Sequence, residues 1–185
     1  MAMSCLVINR AGLVPGNVRL CLICAVCITT FCIGGCGLFY HSGPVGLSMA
    51  SLTEARVFDR RGNGFGLPMV KLSAGSGRLA AEVASTPLQA ATGLMYRARL
   101  APDGAMLFVN PASQRVAFHM KDTRMPLSCA FIDSNGAVLE IYAMLPGDET
   151  PVASASDDVR FVLEVNRGWL ERHGVAVGSR IMVTE

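Results

Sequence analysis

The stretch Val116–Asp133, VAFHMKDTRMPLSCAFID, constrains the fold of this chain more than any other. It opens with apolar and polar residues in alternation and passes through a charged knot, Lys121-Asp122-Thr123-Arg124. Pro126 follows, and a second apolar run closes at Asp133. Alternation with a period of two belongs to a strand with one buried face, and proline does not continue a sheet ladder. The stretch therefore predicts two strands joined by a polar, proline-bounded connection.

The sequence on either side extends that pattern. Arg78–Ala84 reads as a strand. Ser85-Thr86-Pro87 then opens a helix over Leu88–Leu94, with a hydroxyl cap and proline in the first turn. Ala105–Val109 is a strand ended by Asn110-Pro111, and Val116–Met120 opens the central stretch. Cys129–Ile132 and Val138–Ala143 form a hairpin around Ser134-Asn135-Gly136, because Asn-Gly supports the positive φ of a tight turn. Leu145–Val159 is polar and proline-bearing, which predicts a surface loop. Phe161–Val165 alternates again, a short helix Trp169–His173 ends at Gly174, and Arg180–Thr184 is the last strand. The expected fold is mainly β (α+β), a small antiparallel barrel or sandwich with two short helices.

Three of these segments carry a resemblance. The central stretch resembles the motif F-W-M-K-N-T-x-I-P-L-D-x-x-F-I-D of the DUF192 (UPF0127) family. Thr86-Pro87 with Gly93-Leu94-Met95-Tyr96-Arg97 resembles its T-P-x-x-R-x-x-G-L-M-x-R. Phe161–Gly174 resembles its V-L-E-x-x-x-G-x-x-x-x-x-G, and Ala105–Phe108 its G-M-L-F. The resemblance covers roughly Leu79 to Val183 and implies the same compact β-rich fold, while implying no particular activity. Several positions depart from the family pattern, among them Ala105 where the family has glycine. Ala90 stands where the family has its first arginine, His119 where it has tryptophan, Asp122 where it has asparagine, and Ser128 where it has aspartate.

The N-terminal part is of another kind. Leu20–Tyr40, LCLICAVCITTFCIGGCGLFY, holds no charge and follows Arg10 and Arg19. A basic flank, an apolar core and then small residues are the layout of a secretory signal, and the run is also long enough to span a bilayer as a helix. Ile33-Gly34-Gly35-Cys36 resembles a lipobox, in which Cys36 would be the lipid-modified residue. Cleavage after Ala50, or retention as an uncleaved anchor, are the alternatives. Each places the rest of the chain on the extracytoplasmic, periplasmic side of a bacterial envelope. The expected organisation is a signal or anchor over 1–40, a flexible Gly/Ser/Pro-rich linker over 41–68 and a β-domain over 69–185.

Charge and cysteine usage narrow the function. The formal charge of +2 counts 16 basic and 14 acidic residues, and Arg10 and Arg19 account for the whole excess. A balanced domain lacks the basic face that phosphate backbones require, so no nucleic-acid partner is expected. Six of the 7 cysteines precede the domain, leaving Cys129 without an internal disulfide partner.

Within the domain the titratable candidates are His119, Lys121, Asp122, Asp133, Glu164 and His173. There is no Cys-x-x-Cys, nucleophile elbow or phosphate loop among them, so no cofactor is expected. Lys121, Asp122 and Thr123 form the candidate ligand-binding cluster. Glu164 lies in an otherwise apolar strand, sharing a face with Val162. It is expected either on a solvated face or paired with Lys121 or Arg97, because an unpaired buried carboxylate is costly. Three functions remain open. The first is a non-enzymatic binding or accessory module for a small ligand or envelope protein. The second is an enzyme using Lys121 with a carboxylate. The third is soft-metal binding through His119, Met120, Met125 and Cys129.

Overall fold

The computed structural model describes residues 45–54 and 66–184. In chain order the elements are β1 (Val45–Gly46), α1 (Met49–Glu54), β2 (Met69–Ala74), β3 (Gly77–Ala84), α2 (Pro87–Thr92), β4 (Gly104–Gln114) and β5 (Ala117–Phe118). They continue with β6 (Leu127–Ile132), β7 (Val138–Met144), β8 (Val152–Ala153), β9 (Val159–Asn166), α3 (Trp169–Arg172) and β10 (Ile181–Thr184). The N-terminal apolar segment and Cys36 lie outside the described residues. Among the described residues, no helix is long and apolar enough to cross a membrane.

Eight strands form one sheet in the order β1-β10-β2-β3-β4-β9-β6-β7, and β5 and β8 form a separate two-stranded ribbon. The sheet curls until its far ends meet. Ala137 bridges Arg180, the Val138 N–H donates to the Ser179 carbonyl at 2.9 Å, and the Gly178 N–H donates to the Val138 carbonyl at 2.8 Å. The result is a mainly β half-barrel with a few short helices. One apolar cluster draws on both ends of the sheet, with Leu47, Leu72, Phe161, Leu163, Trp169 and Ile181, and so fills the curl. A second lies on the other face, with Met106, Phe108, Leu127, Cys129, Phe131 and Val162, under the loops that precede β4 and β6.

Local signals explain several elements. The Thr86 hydroxyl accepts the Gln89 N–H at 3.3 Å, and Gln89 Oε1 accepts the Thr86 N–H at 3.1 Å. This reciprocal box starts α2 with Pro87 in its first turn. At the β6–β7 hairpin, Asp133 Oδ1 accepts the N–H groups of Asn135 and Ala137, both at 2.8 Å. Gly136 has φ +82°, and a Cβ there would stand 2.8 Å from the Ile181 carbonyl oxygen. Only glycine fits that approach.

The structure corrects the expected architecture in four places. Neighbouring strands are not all antiparallel: β3 and β4 run parallel, with α2 in the crossover between them. β4 does not stop at Asn110-Pro111 but continues to Gln114, with a register break after Val109. The Asn110 side-chain amide donates to the Val159 carbonyl at 3.1 Å, restoring a bond near the place where proline offers no donor.

The two strands of the central stretch are also in different sheets. β5 pairs with β8, because the loop after β7 folds back over it: the Met120 N–H donates to Asp148 O at 2.7 Å, and the Ser154 N–H to Val116 O at 2.9 Å. Finally, the stretch read as a linker contributes to the fold. β1 pairs with β10, and Leu47 is fully buried. Its side chain packs in the apolar cluster inside the curl. A cut after Ala50 would remove both.

Candidate functional site

The site begins as a lateral row across six strands. Met69, Glu82, Met106, Glu164, Cys129 and Tyr142 are register partners on β2, β3, β4, β9, β6 and β7. Register partners project to the same face, so two glutamates share one side of the sheet. Both are buried, Glu82 at 5% exposure and Glu164 at 4%.

Their surroundings differ. Arg97, also buried, donates to both carboxylate oxygens of Glu82: Nη2 lies 2.7 Å from Oε2, and Nη1 bonds Oε1. A bidentate guanidinium–carboxylate pair is the geometry in which a buried charge is tolerated. Among the described residues Glu164 has no ion pair, and no side-chain hydrogen bond reaches its carboxyl. Burial pushes its pKa up from 4.5 to about 8. At neutral pH it is a neutral carboxylic acid, able both to donate and to accept a hydrogen bond. The expected pairing of Glu164 with Arg97 or Lys121 is therefore corrected. Arg97 is taken by Glu82, and Lys121 is exposed on its loop.

Glu164 lines a cleft of about 340 Å³. One wall is the end of α2 and the following turn, Ala90–Met95. The other is the segment Gln114–His119 with Thr123, and Phe108 and Asn110 complete the lining. Phe108 and Phe118 meet edge to face, with centroids 4.9 Å apart, and give the cleft an aromatic side. Gly93 holds φ +47° and ψ −130°, and a Cβ there would press within 3.3 Å of the Phe108 ring. Ala90, where the family motif carries arginine, places no charge in the cleft.

The two walls are tied by an unusual contact. Tyr96 (φ +62°) and Asp122 (φ +54°) are the non-glycine residues with left-handed backbone among those described. The Tyr96 N–H donates to the Asp122 carbonyl at 2.9 Å, and its hydroxyl donates to Asp122 Oδ2 at 3.2 Å. Such conformations cost of order 1–3 kcal/mol each and persist only when neighbouring structure enforces them.

Of the residues expected to bind ligand, the structure brings Thr123 and Glu164 into the cleft. It leaves Lys121 and Asp122 exposed on the adjoining loop and buries Arg97 beside Glu82. Thr123 also shapes its turn, its N–H donating to Met120 O at 3.0 Å. His119, expected as a titratable candidate and a possible soft-metal ligand, lines the cleft, as do Arg115 and Asn110. The alternation around Phe118 was the available signal for this wall, since it places Val116 and Phe118 on one side.

Met120, Met125 and Cys129 are packed in the second apolar cluster. Burial, and then the charges of Glu164 and Glu140, push the Cys129 thiol well above its ordinary pKa. That opposes the thiolate form that metals require. Among the described residues no group of three or more His, Cys, Asp or Glu could hold a metal ion. Other candidates are structural. Ser128 Oγ accepts the Gly168 N–H at 3.0 Å. The His173 ring stacks on Trp169 with centroids 4.0 Å apart, and its Nδ1 lies 2.8 Å from the Trp169 carbonyl.

The fold and cleft define a small β half-barrel with a loop-walled site on its outer face. The family model DUF192, described as uncharacterized ACR, matches residues 70–183, and the chain belongs to that family. Among solved structures, a protein of unknown function from Novosphingobium aromaticivorans DSM 12444 is 31% identical, with a TM-score of 0.61. The match covers 65% of this chain and 89% of that one. A protein from Sinorhizobium meliloti 1021, described as a candidate transcription regulator, is 38% identical with a TM-score of 0.58, covering 62% and 92%. Comparison with curated proteins returns no match.

Proposed function

We propose that this chain is a non-enzymatic binding or accessory module of the bacterial envelope, holding a small ligand in the cleft over Glu164. The observation that carries this reading is a buried carboxyl, ion-paired with none of the described residues, in the lining of a cleft with aromatic and polar sides. Such convergence of a few polar groups on an apolar pocket is how small-molecule sites are built. The reading includes tethering on the extracytoplasmic side, supported by the charge-free run after Arg10 and Arg19 and by Cys36 in a lipobox-like setting. It includes no nucleic-acid partner, because basic and acidic residues balance beyond that run. The description of the Sinorhizobium protein is not carried over for the same reason.

Thermal-shift screening of the full chain in detergent against a small-metabolite library tests the binding. A ligand that stabilises the wild type and loses its effect in Glu164→Leu is expected. A library without effect, or one whose effects survive that change, overturns the assignment of this cleft. Intact mass of protein from bacterial membranes tests the tether. A chain beginning at an acylated Cys36, absent from Cys36→Ala, is expected, whereas an unmodified full-length mass removes the lipid anchor from the reading.

A second reading has one observation in its favour. A carboxyl with a pKa of about 8 is protonated at neutral pH and suits a general acid. That reading rests on Glu164 with His119 in the same cleft lining, since Lys121 does not line the cleft. Turnover of a bound metabolite that is abolished in Glu164→Gln, with binding retained, would decide for it.

A further inference from the structure

We infer that the cleft over Glu164 recognises a small organic cation, an amidinium, guanidinium or ammonium head on an apolar body, which supplies the positive charge this carboxyl lacks. This rests on the proposed binding role of the cleft and specifies the chemistry of its occupant. Two glutamates lie on one sheet face. Glu82, buried to the same degree, is met by the fork of Arg97. Among the described residues no cation pairs with Glu164, which instead lines the open cleft. An unpaired polar group nine-tenths buried is tolerated where something periodically satisfies it, and the open side of Glu164 is the cleft.

The other charged groups around it do not fill that role. Arg115 lines the cleft, but its charge acts on Glu140, which also holds the Ala155 and Ser156 N–H groups and the Tyr142 hydroxyl. His119 is exposed at the cleft. Cys129, across the β9–β6 ladder, is a thiol that burial keeps protonated. Met106 occupies the β4 side and separates Glu164 from the Glu82–Arg97 pair.

The walls suit the rest of such a ligand. Phe108 and Phe118 present an aromatic side, over which a cation is favoured. A volume of about 340 Å³ is at the small end of ligand pockets. Binding would ionise Glu164: its proton leaves to solvent as the cation arrives, and a charge-assisted hydrogen bond replaces a neutral one.

Isothermal titration calorimetry on the full chain in detergent at pH 7 tests this with benzamidine, its neutral isostere benzamide, and benzoate. Two buffers of different protonation enthalpy are used. Benzamidine is expected to bind about tenfold or more tighter than benzamide. It should release close to one proton per ligand, because the carboxyl is mostly protonated at that pH. In Glu164→Gln the benzamidine advantage and the proton release should both vanish while benzamide affinity holds. That replacement is isosteric with the protonated carboxyl, so the fold is expected to hold at pH 7. Benzamide or benzoate binding as well as benzamidine, or benzamidine binding without proton release, overturns the cationic class and leaves the binding role standing. Absence of binding by all three, together with a library that is also silent, removes both.

Discussion

Glu82 and Glu164 occupy one row of one sheet face, separated by Met106 on the intervening strand. Two strand spacings put their backbones about 10 Å apart. They are buried alike, yet Glu82 is locked to a guanidinium and Glu164 is a neutral acid lining a cleft. The difference shows that burial alone does not decide what a carboxylate does in this protein. Arg97 emerges from the turn after α2 and reaches the β3 side of the sheet. The same turn, at Gly93–Met95, walls the cleft above Glu164 without delivering a charge to it. One short segment thus completes a structural ion pair and leaves a reactive-type carboxyl open.

Removing the guanidinium breaks the comparison most severely. Arg97→Ala strands Glu82 as a buried charge and is expected to lower unfolding free energy by about 3–5 kcal/mol, read from denaturant unfolding. The pH dependence of stability comes next. In the unfolded chain Glu164 titrates near 4.5 and in the folded chain near 8. Below 4.5 both states hold the proton, and the folded state has its full advantage. Between 4.5 and 8 only the folded state holds it, so stability falls with rising pH by about 1.4 kcal/mol per pH unit, then levels off. Subtracting the Glu164→Gln profile from the wild type should isolate that slope. Identical profiles would mean that Glu164 is already satisfied.

Ala90→Arg sharpens the contrast, because it adds a cation to the cleft lining. The Glu164 carboxyl titration, followed by carbon NMR, is expected to move down from about 8, and benzamidine binding should weaken. An unmoved titration would place the new guanidinium in solvent. The smallest effect belongs to Lys121→Ala. The side chain is exposed and off the cleft, so a stability change within about 0.5 kcal/mol is expected by thermal unfolding. A loss of several degrees in Tm would return Lys121 to the structural core of the loop.

Much of the fold is legible in the residues because its signals are local. Thr86-Pro87 with Gln89 carries its own capping box, and Asp133 with Gly136 carries its own turn. The two-residue period of Phe161–Val165 puts Glu164 on the Val162 face, and the structure agrees. The site is less legible. Thr123 and Glu164 are among the residues the sequence points to, but Lys121 is the more conspicuous as a rare charge in an apolar setting. Charge patterning does not report whether a side chain points into a cleft or away from it. In the sequence His119 reads as a candidate metal ligand, and its place in the cleft wall depends on the β5–β8 ribbon. That ribbon pairs residues thirty-odd positions apart through a loop that looks merely polar.

Strands with alternating faces, the capped helix, the hairpin and the family are all legible along the chain, because each depends on neighbours within a few residues. Only the tertiary structure decided that β3 and β4 run parallel, that Leu47 fills the curl, and that Arg97 serves Glu82 instead of Glu164. Those outcomes follow from strand order and loop path, which bring distant residues into one row. The low dielectric of that row then makes the presence or absence of a single guanidinium decide between a salt bridge and a neutral acid.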